Sequence, residues 1–274
     1  MSNKPLMSIL MPAYNTVAYI KWAIQSVQAQ TYRNWELIIV DDGSTDGTLE
    51  LAQVLQKKDK RIQVYSNGKN LGINKTRQHT AKYAKGEFWG HLDSDDMLER
   101  WAVEEVLYTF NKNPDAMFIY TDHVQINRKN EVESYSASPT FDRQKLHQHG
   151  WRHFGVFRTE VLKHIQGYND KISYIPTCED GDLFMQIAEK WPVYRLQRAL
   201  YFYRNHGDNN SSQKPKCEEC KANPDCNFIR IWAESLDYDQ RTLKPKATVE
   251  VTNESSSDNT LLQGTSACAD TLQT

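Results

Sequence analysis

Two apolar runs that break off in acidic residues constrain this chain more than any other feature. Leu37-Ile38-Ile39-Val40 ends in Asp41-Asp42-Gly43-Ser44, and Gly90-His91-Leu92 ends in Asp93-Ser94-Asp95-Asp96. Unbroken hydrophobics of this kind read as strands buried on both faces of a parallel sheet. The carboxyl ends of such strands open onto a ligand crevice, so acids placed there face the ligand and not the core. Asp93, Asp95 and Asp96 crowd three carboxylates into four positions. Such a group repels itself unless a cation sits among it. Oxygen donors suit a hard divalent ion, and the usual substrate partner of that ion is a diphosphate.

The rest of the pattern makes an α/β chain. Strands are expected over 7–12, 36–40, 62–66, 88–92 and 116–121. Between them, Tyr19, Ile20, Ala23, Ile24 and Val27 recur at helical spacing, as do Leu49, Ala52 and Leu55 after the turn Ser44-Thr45-Asp46-Gly47. Two more helices are expected over 74–84 and 100–110. Strand and helix alternation implies a single, mostly parallel central sheet flanked by helices. From 127 to 167 the pattern is less regular, and then a helix over 180–190 and a strand over 194–203 follow. After about Lys214 the chain turns polar, and beyond Lys244 it holds no aromatic residue. That last stretch has too little apolar surface to offset its ordering entropy and is expected to be disordered.

Composition excludes several function classes. A formal net charge of -2 over 274 residues does not suit a general nucleic-acid binder. No apolar run is long enough to span a bilayer, and the N-terminus lacks a secretory pattern. A cytoplasmic protein is expected, with peripheral attachment to the inner membrane face or to a biosynthetic complex left open. The five cysteines are odd in number, against a disulfide framework. Cys217, Cys220 and Cys226 lack a fourth ligand for a structural zinc, and reduced thiols are the simpler reading. No internal repeat is present.

Five motifs then give the chain a resemblance. Ser8-Ile9-Leu10-Met11-Pro12-Ala13-Tyr14-Asn15, Ile39-Val40-Asp41-Asp42-Gly43-Ser44-Thr45-Asp46 and Leu92-Asp93-Ser94-Asp95-Asp96 resemble glycosyltransferase family 2. The likeness continues through Cys178-Glu179-Asp180-Gly181-Asp182-Leu183-Phe184 and Tyr203-Arg204-Asn205-His206-Gly207-Asp208-Asn209-Asn210-Ser211. A narrower likeness, in Phe141-Asp142-Arg143-Gln144-Lys145-Leu146 and Arg152-His153-Phe154, is to the transferase domains of bacterial chondroitin and hyaluronan polymerases. The resemblance implies a GT-A fold over 1–213, with a Rossmann-like nucleotide-sugar half (1–125) and an acceptor half (126–213). A polar extension over 214–244 and a tail over 245–274 complete the division. It also implies inverting transfer of a sugar, N-acetylhexosamine in the most similar domains, from a UDP-sugar to a polysaccharide or glycolipid acceptor in cell-surface glycan synthesis. One such domain cannot by itself be a two-domain copolymerase.

Carried onto this sequence, the resemblance assigns Pro12, Ala13, Tyr14 and Asp42 to the nucleoside. Tyr14 would stack on the base and the Asp42 carboxylate would accept the uracil N–H. Rim packing for Tyr14 and a helix cap for Asp42 are the structural alternatives. Asp41 is left open, because neighbouring strand-end carboxylates can point differently. Asn70, Gly72, Lys75 and Arg77 form the next segment, where a glycine permits close backbone approach and a cation can help bind the diphosphate. A solvated helix start is the alternative for Lys75 and Arg77. Asp93, Ser94 and Asp95 form the family's DxD motif. Asp95 is expected to ligate Mn²⁺ or Mg²⁺, with Asp93 on the ribose or in the same metal shell and Asp96 supporting the shell. His206 is implied as the second metal ligand. Asp180 is implied as general base, with Glu179 and Asp182 as rivals and Gly181 as a departure from the family pattern. Trp151, His153 and Phe154 are candidates for the acceptor side or, equally, for core packing.

Two other functions fit parts of the pattern. A nucleotidyltransferase shares the layout, but Met11-Pro12-Ala13-Tyr14-Asn15 lacks the Gly- and basic-rich loop that grips a triphosphate. A non-catalytic nucleotide-sugar-binding module would not need Asp95, Asp180 and His206 together.

Overall fold

The computed structural model describes residues 4–138, 140, 153–165, 167–168, 179–207 and 249–251. The first half alternates as its periodicity demands: β1 (Met7–Ala13), α1 (Ile20–Gln28), β2 (Trp35–Asp41), α2 (Thr48–Gln56), β3 (Ile62–Ser66), α3 (Ile73–Tyr83) and β4 (Phe88–His91). The short β5 (Met97–Leu98), α4 (Ala102–Lys112), β6 (Phe118–Ile126) and β7 (Val132–Ser136) follow. Then come β8 (Val156–Arg158), a 3₁₀ turn (Thr159–Lys163), α5 (Glu179–Lys190), β9 (Val193–Arg204) and β10 (Val249–Val251).

One mixed sheet runs in the order β10-β9-β6-β8-β4-β1-β2-β3, with β5 on β9 and β7 on β6. Neighbours β1, β2, β3 and β4 pair in parallel, and so do β6, β9 and β10. Antiparallel β8 is inserted between β4 and β6 and joins the two parallel sets. Within the stretch expected to be disordered, the described residues are those of β10. Val249-Glu250-Val251 pairs with Tyr194–Leu196, because two β-branched residues suit the open edge of β9. The Cys217–Cys226 segment and the rest of the tail lie outside the described residues.

Strand periodicity splits the core into two layers. Ile9 and Met11 of β1, with Leu37 and Ile39 of β2, face one side and pack against Ile20, Ile24, Val103 and Phe110 of α1 and α4. The alternate residues Leu10 and Ile38 face the other side, with Trp89, Phe157, Leu183 and Ile187. Every residue of β1 and β2 is buried, which is why these strands read as unbroken hydrophobics. Burying one such Leu or Ile side chain contributes ~1.5–3 kcal/mol. No helix among the described residues is long and apolar enough to cross a membrane.

The end of β2 is fixed by Gly43. Its φ of +74° lies in the left-handed region, and a Cβ there would come within 2.6 Å of the Lys69 backbone. The turn after β2 therefore packs against the loop after β3 with no space for a side chain. Gly43→Ala is expected to cost ~1–3 kcal/mol from strain and clash together. A urea melt reads this as a lower midpoint with an unchanged slope, and an unchanged midpoint would contradict the packing described.

Candidate active site

The crevice lies at the carboxyl edge of β1, β2 and β4, and its walls are loops tied to one another by side chains. Pro12 and Ala13 end β1 and are buried, whereas Tyr14 just beyond is 46% exposed. Tyr14 thus has a free ring face at the rim. Asn15 crosses to the turn after β2, where its N–H donates to Ser44 Oγ (2.9 Å) and its Oδ1 accepts from Thr45 N–H (2.9 Å). The Thr16 hydroxyl donates to Ser94 Oγ at 3.0 Å. The Ser94 side chain is therefore spent on linking two loops and is buried.

The two strand-end acids of β2 diverge. Asp41 caps its own turn, accepting from Gly43 N–H and Ser44 N–H at 3.0 and 3.2 Å. Asp42 reaches the other way, to the loop between β3 and α3. Its Oδ1 accepts from Asn67 Nδ2 (2.8 Å) and Leu71 N–H (2.9 Å), and its Oδ2 from Gly72 N–H (2.9 Å). Asp42 thereby sets the position of Asn70 and Gly72. Asn70 Oδ1 also accepts from Gly72 N–H (3.0 Å), and Gly72 has a φ of +87°. Lys75, half-buried on α3, donates to Gln78 Oε1 at 3.4 Å.

Arg77 differs from the expectation. Its side chain is 4% exposed and Nη2 donates to Asp93 Oδ1 at 3.1 Å. On the inner face of α3 it holds an acid of the 93–96 loop and is not a solvated cation at a helix start. Asp93 in turn is pushed up from the ordinary carboxylate range by desolvation, against the pull of Arg77 and with the push of Asp95. Asp96 is buried beneath the loop. Its Oδ2 accepts from the Tyr201 hydroxyl (2.7 Å) and its Oδ1 from Arg204 N–H (2.7 Å). Burial drives Asp96 well above the ordinary range, and Asp95 and Asp93 add to the shift. Asp96 anchors the loop to β9.

Asp95 and His206 come together from positions 111 residues apart, with His206 Nε2 2.9 Å from Asp95 Oδ2. Two donors bound cis to one octahedral ion at ~2.1 Å would be roughly 3 Å apart, so this pair fits a divalent cation. An imidazole nitrogen and a carboxylate oxygen are together a donor set for Mn²⁺ or Mg²⁺. Among the described residues no set of three or more His, Cys, Asp or Glu side chains converges as a metal cluster. Asp93, the other acid expected at the metal, accepts from Arg77 Nη2 at 3.1 Å.

Other candidates separate. Glu179 and Asp180 open helix α5, while the side chains of Glu179, Asp180 and Asp182, and Trp151 entirely, lie outside the described residues. Phe154 is fully buried core with a φ of +41°, not a crevice lining. His153 lies 4.1 Å from His123 and about 5 Å from Tyr201 and Tyr203, ring centre to ring centre. Sequence reasoning did not single out Tyr201, Thr16 or Arg128. Tyr201 and Tyr203 alternate along β9, which was a legible signal. Nothing in the sequence marked Thr16 or Arg128.

Desolvation, with the neighbouring His123, lowers His153 from 6.5 to about 3. A histidine depressed on folding stabilises the fold above its unfolded value, and that stability is lost as the pH falls below 6.5 toward 3. His153→Phe is expected to flatten the acid limb of a stability–pH curve measured by urea melts. An unaltered limb would show that His153 is protonated as readily in the fold as out of it.

Comparison with known proteins bears on the family and the fold. The profile of Glycosyl transferase family 2 matches residues 8–166. Chondroitin synthase of Escherichia coli is 34% identical over 212 residues, 77% of this chain and 30% of that protein. Hyaluronan synthase of Pasteurella multocida is also 34% identical over 212 residues, 77% of this chain and 21% of that protein. The chain thus matches less than a third of either relative's length. Among solved structures, S. aureus TarS in complex with UDP-GlcNAc superposes with a TM-score of 0.65 at 19% identity, over 84% of this chain and 66% of that one. The mannosyltransferase PcManGT of Pyrobaculum calidifontis, in complex with GDP-Man and Mn2+, gives 0.57 at 15% identity, over 73% and 57%. These two likenesses show the GT-A fold, and the sequence matches extend further: the chain belongs to glycosyl transferase family 2.

Proposed function

We propose that this protein is an inverting, metal-dependent glycosyltransferase. It moves a sugar, N-acetylhexosamine, from its UDP donor to a polysaccharide or glycolipid acceptor. The observation that carries the reading is the approach of His206 to Asp95 at the carboxyl edge of the sheet. Relatives described as chondroitin synthase and hyaluronan synthase support the acceptor class, and the UDP-GlcNAc complex of TarS supports the donor class.

In this reading Tyr14 offers its exposed face to the uracil. Asp42 fixes the backbone of Leu71 and Gly72, the loop that borders the nucleoside. Asp93 remains on Arg77 and borders the ribose. Asp95 and His206 would hold a divalent ion, which would supply positive charge to the diphosphate. Asp180 takes the proton of the acceptor hydroxyl as its oxygen attacks the anomeric carbon. The bond from that carbon to the UDP oxygen breaks on the opposite face, so the configuration inverts. Cytoplasmic placement, with peripheral contact to a membrane or complex, belongs to the same proposal.

The test measures UDP release from a panel of UDP-sugars with Mn²⁺ and oligosaccharide acceptors. UDP-N-acetylhexosamine is expected to be the best donor. Asp180→Asn is expected to lower turnover by ~10²–10⁴-fold. Asp95→Ala is expected to lower it too, and chelation to abolish it. Undiminished turnover in both variants would overturn the assignment. Release of pyrophosphate from a nucleoside triphosphate would point to nucleotidyl transfer.

A further inference from the structure

A ligating imidazole works only when its ring is held in the right plane. Its orientation is usually set by a neighbour acting on the part of the ring that does not bind metal. Around His206 the main chain and the ring are fixed by different groups. Asn205 N–H donates to Ile126 O at 2.7 Å, which docks the main chain on β6. Arg128 donates from Nε (2.9 Å) and from Nη2 to the His206 carbonyl. Gly207 follows with a φ of +77°, turning the chain away. These contacts place the Cα but leave rotation about the side-chain bonds.

That rotation is limited by Tyr19. Its ring lies 4.7 Å from the His206 ring, centre to centre, with 25° between their planes. The Arg204 guanidinium is 5.1 Å from the Tyr19 ring centre and 5.4 Å from that of Trp22. Arg204 is itself fully buried and donates to the carbonyls of Asp95 (2.6 Å) and Asn127 (2.9 Å). Tyr19 is thus held by a rigid cation and lays its ring flat along the imidazole. In this stacked arrangement His206 Nε2 lies 2.9 Å from Asp95 Oδ2.

We propose that Tyr19 is a positioning residue: its stacked ring sets the His206 imidazole in the orientation that faces Asp95, and so tunes the affinity for the divalent cation. Tyr19 caps the first turn of α1 and lies five residues after Tyr14 on the same loop. The loop at the nucleoside edge therefore also reaches the metal pair. The proposal rests on the reading of His206 as a ligand, and the experiment separates the two.

Binding of Mn²⁺ in the presence of UDP is measured by calorimetry or electron paramagnetic resonance for the parent protein, Tyr19→Leu, Tyr19→Phe and His206→Ala. Ring-proton resonances of His206 are recorded in the metal-free protein, and the other histidine resonances report whether each variant folds. Tyr19→Leu is expected to weaken Mn²⁺ by ~10–100-fold, the range seen when an orienting neighbour of a ligand is lost. It should also remove the upfield ring-current displacement of His206. Tyr19→Phe keeps the stacked ring and is expected to restore both. If His206→Ala weakens Mn²⁺ while Tyr19→Leu does not, the positioning role is overturned and the ligand reading stands. If His206→Ala leaves Mn²⁺ affinity unchanged, the ligand reading is overturned and the proposal falls with it.

Discussion

Arg204 joins the two halves of the molecule. It ends β9 in the second half, yet its guanidinium donates to the Asp95 carbonyl and its N–H to the Asp96 carboxylate. A buried guanidinium is costly unless its donors are met and opposite charge is near. Here the carbonyls of Asp95 and Asn127 meet donors of the guanidinium, and burial is what lowers Arg204 from its ordinary value. Released from this contact, the 93–96 loop would keep Arg77, Thr16 and Tyr201 as partners but would lose its direct tie to the strand end that leads to His206.

The remaining walls of the crevice depend on that joint through a chain of small polar groups. Thr16 ties the first loop to Ser94, Asn15 ties it to the second, and Asp42 ties the second to the third. Few of these bonds are individually strong, each netting ~0.5–1.5 kcal/mol. Their value lies in preorganisation. In the proposed reading, a loop already held in place would lose little further freedom when a nucleotide enters. Gly43 matters for the same reason, since a side chain there would push the second and third loops apart.

Much of this was legible in the chain. The two-sided burial of β1 and β2 follows from Ser8-Ile9-Leu10-Met11 and Leu37-Ile38-Ile39-Val40, and the helical stripe Ile20, Ala23, Ile24, Val27 is the buried face of α1. The limits of legibility are equally specific. Strand β8 has only three residues, and its entry is through a left-handed Phe154, which neither propensity nor periodicity foretells. Strand β6 runs on to Ile126, past the expected end at 121, because β7 and β9 pair with its polar second half. The contacts that Arg77 and Tyr19 make carry no signal in a linear reading. Arg77 sits on a helix with polar neighbours, and only the fold shows that its inner face meets Asp93. Tyr19 reads as the first member of an apolar stripe, and its contact with His206 joins the start of α1 to the segment just after β9.

The acidic run itself is handled differently from what charge counting suggests. By charge counting, three carboxylates in four positions call for an external cation, yet each has a partner within the protein. Asp93 has the buried Arg77. Asp95 has the imidazole of His206. Asp96 is pushed by burial toward its neutral form and is satisfied by Tyr201 and Arg204. In the proposed reading, Asp95 and His206 would offer a divalent cation one carboxylate oxygen and one imidazole nitrogen, 2.9 Å apart. With so few ligands from the protein, such an ion would be held more tightly beside a diphosphate that completes its shell than alone.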